Sequence, residues 1–77
     1  MRTNYTFDNP GILMSDNESD GIAEEYEIAT KLFPDYSFVK QEFLMGDNNV
    51  LLDKLVYKKG DIVEELYFDI SNIFGKF

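Results

Sequence analysis

Cysteine and histidine are both absent from the 77 residues. Without cysteine there is no disulfide framework, no thiolate nucleophile and no thiolate metal site. Without histidine, acid–base work falls to carboxylates, lysine and tyrosine, and no pair of these stands at a spacing that implies catalysis. The five glycines are scattered over separate turns, so no glycine-rich phosphate loop exists. No run of about 18 apolar residues occurs, and the opening Met1-Arg2-Thr3-Asn4-Tyr5 lacks the apolar core of a secretory signal. A cytoplasmic, non-enzymatic protein with no cofactor and no bound metal is expected.

Negative charge is what the chain has in excess. Fifteen Asp and Glu against seven Lys and Arg leave a net charge of −8, which repels nucleic acid and anionic membrane and favours basic partners. The same balance also serves solubility alone. Seven Phe and five Tyr supply most of the bulk for a core. A chain of this size buries only about 60% of its unfolded surface, enough for one layer of helix on sheet in a single domain over residues 1–77.

Val50 to Ile70 holds the densest apolar run and predicts a hairpin. Lys58-Lys59-Gly60 is taken as a three-residue connection, with Gly60 in the left-handed conformation of a bulged turn. That register sets Val56 against Ile62, Leu52 against Leu66, Val50 against Phe68 and Lys54 against Glu64 on the core face. The outer face then carries Leu51, Asp53, Leu55, Tyr57, Asp61, Val63, Glu65, Tyr67 and Asp69, with Asp53 directly across from Glu65. A two-residue turn at Lys59 and Gly60 would instead set Lys54 against Glu65 but mix acids into the core side. Burial of one clean apolar face favours the first register.

Elsewhere, Thr3 to Phe7, the turn Asn9-Pro10-Gly11 and Ile12 to Met14 suggest an edge hairpin. Ile22, Tyr26, Ala29 and Phe33 recur at helical spacing and predict a helix over Ile22 to Phe33, capped by Ser19 or Asp20 and stopped by Pro34. Its opposite side carries Asp20, Glu24, Glu27 and Lys31. Tyr36 to Met45 reads as a strand with Val39, Phe43 and Met45 on one face and Phe38 and Leu44 on the other, pairing with Val50 to Tyr57. The tail keeps Ile73, Phe74 and Phe77, which fit either the core or a partner. The fold expected is α+β: a β-hairpin, one α-helix and a three-stranded meander, the helix packed on an antiparallel β-sheet of three to five strands.

Asp16 to Glu27 resembles the calcium loop of the EF-hand family, with oxygen side chains at loop positions one, three, five, nine and twelve and Gly21 at position six. The resemblance implies a single calcium-binding module over those twelve residues. It departs from the pattern in having Glu18 at position three and its apolar residue, Ile22, at position seven. Acids capping a helix N-terminus account for Asp16, Glu18 and Asp20 equally well.

The leading expectation comes from the spacing of the acids. Asp20, Glu24 and Glu27 stack along the helix, rising roughly 6 and 4.5 Å, while Asp53, Glu65 and Asp69 repeat on the sheet at about 6 to 7 Å. Such rows can imitate the phosphates of a duplex, one charge per ~3.4 Å of axis on each strand. Asp61 extends the row, and Tyr57 and Tyr67 would anchor it. The function expected is a stoichiometric inhibitor that covers the basic nucleic-acid-binding groove of a partner protein, in the manner of phage-borne anti-restriction or anti-CRISPR proteins. An antitoxin or immunity-type protein masking a basic toxin is the alternative.

Overall fold

The computed structural model describes residues 4–76. Its elements are β1 (Gly11–Ile12), α1 (Glu18–Leu32), β2 (Ser37–Met45), a 3-10 turn (Asp47–Asn49), β3 (Leu51–Lys59) and β4 (Ile62–Asp69). The sheet runs β1-β4-β3-β2, antiparallel except where β1 lies parallel to β4. One helix on a four-stranded, mostly antiparallel sheet is the α+β fold expected.

The hairpin between β3 and β4 takes neither register expected from the sequence. The turn is Gly60-Asp61, with Gly60 at φ +60°, the position where a two-residue hairpin turn needs a glycine. Lys59 therefore faces Ile62, Leu55 faces Leu66, Asp53 faces Phe68 and Lys54 faces Tyr67. The shift turns β3 over relative to β4. Leu55, Tyr57, Leu66 and Phe68 share the buried cluster beneath α1 with Ala29, Ile70 and Ile73. Leu52 and Val56 are buried as well, on the opposite face of the same strand. A strand with apolar residues on both faces cannot be oriented by its own pattern, because either face offers a core.

Asn17, rather than Ser19 or Asp20, caps α1: its side-chain carbonyl accepts from the Asp20 N–H at 2.9 Å. Glu18 and Asp20 occupy the first turn and Lys31 the last, complementing the helix dipole. Phe33 N–H closes the helix on the Ala29 carbonyl, and Pro34 disfavours continuation. The buried stripe is Gly21, Glu25 and Ala29, one position off the expected row at its start, and Ile22 is 40% exposed. Gly21 lets the helix approach the tail closely: a Cβ there would displace the Ile73 Cδ1 methyl.

The expected N-terminal hairpin does not form; Thr3 lies outside the described residues. Tyr5 accepts from Tyr67 N–H at 2.8 Å and packs on Phe68 at 5.4 Å, while Phe7 meets Tyr67 edge-on at 5.8 Å. The segment thus wraps the edge of β4, and β1 continues along it. Pairing of β2 with β3 is as expected, with a bulge at Val39. The bulge puts Phe38 on the same side as Phe43 and Met45 instead of with Leu44. In the tail, Ile73 enters the core, while Phe74 stacks on Phe43 at 5.1 Å. Phe77 lies outside the described residues.

Candidate functional site

The register disperses the acidic face expected on the sheet. Asp53 and Tyr57 are buried, at 5% and 7% exposure, on the side covered by α1, whereas Glu65 and Tyr67 lie on the other side. The Asp53–Glu65 couple therefore does not exist, and neither Asp53 nor Tyr57 can reach a partner. Glu65 is held by Lys54 at 2.8 Å, and Lys54 also reaches Glu42 at 3.5 Å, itself 3.4 Å from Lys40. This is a ladder of alternating charge. The hydrogen bond to Glu65 raises the Lys54 pKa above its ordinary value, and the one from Lys40 lowers that of Glu42. Tyr67 lies beneath Phe7, with the Lys54 ammonium 5.9 Å from its ring.

The row on the helix is also partly consumed. Glu27 pairs with Lys31 at 3.4 Å. Glu24 accepts from Met14 N–H (2.8 Å), Ser15 N–H (2.9 Å) and the Ser15 hydroxyl (2.7 Å), tying the loop after β1 to α1. Partial burial raises its pKa, but those hydrogen bonds outweigh it and hold the carboxyl below its ordinary range. The EF-hand resemblance does not survive: residues 18 to 27 are continuous helix, Glu24 faces the Met14–Ser15 backbone, and Glu25 points into the core. Among the described residues no group of three or more metal-ligating side chains converges.

A buried carboxyl pair that the sequence pattern missed lies between helix and sheet. Glu25 is 1% exposed, and neither of its oxygens has a hydrogen-bond partner among the described residues. Burial pushes its pKa up to about 9, with the neighbouring Asp53 carboxyl adding to the shift. At neutral pH Glu25 is thus held as a neutral acid close to Asp53. Asp53 accepts from Gln41 Nε2 at 2.9 Å, and Gln41 Oε1 from the Tyr26 hydroxyl at 3.3 Å. This network joins α1, β3 and β2. Its sequence signal was the four-residue step Gly21-Glu25-Ala29, passed over because glutamate counts as polar in an amphipathic pattern.

What the fold leaves available is carboxylate, most of it at one end of the sheet. Asp8, Asp16, Glu18, Asp20, Asp47, Asp61 and Asp69 have no ion-pair partner among the described residues. Asp8, Asp47 and Asp69 line an open cleft of about 370 Å³ floored by Phe7, Ile12, Val50 and Leu52. Asp16, Glu18 and Asp20 surround the start of α1, which meets the tail where Glu18 N–H donates to the Lys76 carbonyl. The ends of β2 and β4 and the start of β3 lie at this same end. Asp61 is alone in the hairpin turn at the other end, near Lys58 and Lys59.

No family model, no curated protein and no solved structure matches this chain. The charge arrangement therefore carries the functional argument by itself. No helix among the described residues is long and apolar enough to cross a membrane.

Proposed function

We propose that the chain is a stoichiometric binding protein whose acidic end, rather than its sheet face, covers a basic nucleic-acid-binding surface of a partner protein. The observation that carries this reading is the segregation of charge. Lys31, Lys40, Lys54 and Lys59 are paired with Glu27, Glu42, Glu65 and Asp35, while Asp8, Asp16, Glu18, Asp20, Asp47 and Asp69, around the cleft and the start of α1, have no ion-pair partner among the described residues. A concentration of one sign on a rigid frame steers a cationic partner and fixes its orientation. Phe7, Ile12 and Val50 beside it offer apolar contact for the stems of arginine or lysine. An acidic patch on a rigid frame is what a phage-borne inhibitor of a nucleic-acid enzyme presents to its target.

The test begins with capture of partners on the immobilised chain at low salt, followed by competition with duplex DNA. A captured basic protein should be released both by salt and by duplex. Neutralising Asp8, Asp16, Glu18 and Asp47 to the amides should abolish capture, whereas Glu65→Gln, in the paired ladder, should leave it. Capture that is indifferent to those four substitutions, or to duplex, would overturn the proposal.

A further inference from the structure

We propose that β2 is a self-complementary edge through which two copies of this chain pair antiparallel, joining their sheets into one of eight strands. This goes beyond the partner-covering reading and does not depend on it. Segment 5–12 runs along the end of β4, but β2 is the outermost strand on its side, nine residues long and exposed along most of its length. Among the described residues no strand pairs with its outer side, and an edge of this length presents backbone donors and acceptors to another strand. Helix α1 covers the middle of the sheet and leaves Phe38, Phe43 and Met45 about half exposed on the same side of β2. Phe74 extends that apolar strip through its stack on Phe43.

The charges on β2 select the occupant. In a two-fold antiparallel pair that keeps both helices on one face, some residue of β2 meets its own copy at the axis. Centring on Lys40 or on Glu42 would set like charges against each other. Centring on Gln41 sets Lys40 of each chain opposite Glu42 of the other, two ion pairs generated by one symmetry operation. The same register brings the bulged Val39 opposite Phe43. Centring on Phe43 would place Glu42 against Leu44. A strand of unrelated sequence has no reason to match this order; the chain's own copy matches it twice.

Sedimentation equilibrium of the full chain should give a dimer whose dissociation constant rises with salt. Lys40→Glu and Glu42→Lys should each weaken self-association by roughly tenfold or more, because each converts two attractive pairs to repulsive ones. An equimolar mixture of the two variants should restore a dimer of near wild-type affinity. Restoration also shows that both variants fold. Independently of any substitution, amide hydrogen exchange of the unmodified chain should accelerate in β2 on dilution while β3 and the Gly60 hairpin stay unchanged. A monomer at every concentration, a dimer unaffected by either variant, a mixture that does not re-associate, or exchange in β2 that is independent of concentration would overturn the proposal.

Discussion

Glu25 and Glu24 are neighbours on one helix and pull stability in opposite directions with pH. Glu25 has a folded-state pKa of about 9 against an ordinary 4.5, so the folded chain holds a proton that the unfolded chain releases. Its contribution is complete below about 4.5 and is lost as pH rises toward 9, at about 1.4 kcal/mol per pH unit at most. Glu24 has its pKa depressed, so its contribution is complete above the ordinary carboxylate value and fades as pH falls through the folded one. Stability should therefore peak in the mildly acidic range and decline toward pH 9, as thermal unfolding followed by circular dichroism can check. Glu25→Gln keeps the shape but removes the titrating proton. It should stabilise the chain at neutral pH by on the order of 2 kcal/mol and flatten the alkaline decline. If the decline persists unchanged in that variant, Glu25 is not its source. Glu24→Ala leaves the Met14 and Ser15 N–H groups without their acceptor, and should cost about 1 to 2 kcal/mol in urea unfolding.

Among the elements, the β3–β4 hairpin carries most of the architecture, because its register decides which side chains α1 covers. Gly60 sits at φ +60° with nothing within 4 Å of where a Cβ would lie. Gly60→Ala should thus cost about 1 kcal/mol from backbone conformation alone, with no change in the packing seen by NMR. Leu55→Ala, at the fully buried centre of the hairpin, should cost about 3 kcal/mol through the cavity left behind. The contrast separates a turn that fixes register from a core that supplies stability. The turn was legible as a glycine turn, but its length was not. Lys58, Lys59, Gly60 and Asp61 are all compatible with a polar connection, and Leu51, Leu52, Leu55 and Val56 offer apolar candidates to both faces. The helix was placed with greater success, since Pro34 and the run of acids mark its ends. Its buried stripe was displaced because a protonated glutamate does what the pattern reserves for an apolar residue.

For the molecule as a whole, charge is arranged by pairing rather than by sequence position. Apart from Lys76, whose carbonyl meets the start of α1, the lysines lie on the back of the sheet or toward the hairpin end, away from Asp8, Asp47, Asp69 and the acids at the start of α1. Partner binding through that end should weaken steeply between low and physiological salt, and the four amide substitutions should remove most of the salt dependence, read as the slope of log affinity against log salt. Folding stability should change much less in the same variants, since none of those four carboxylates has an ion-pair partner among the described residues.

The sequence by itself determined the class of fold, the helix, the meander and the surplus of negative charge, because each follows from local periodicity, turn residues or a count. Only the tertiary structure decided which acids are free. A shift in turn position exchanges the faces of β3, and that exchange buried Asp53 and Tyr57, gave Glu65 to Lys54 and left the open carboxylates at the end of the sheet. Strand register depends on the simultaneous packing of α1, the tail and the N-terminal segment against both faces, and no local stretch of the chain contains that information.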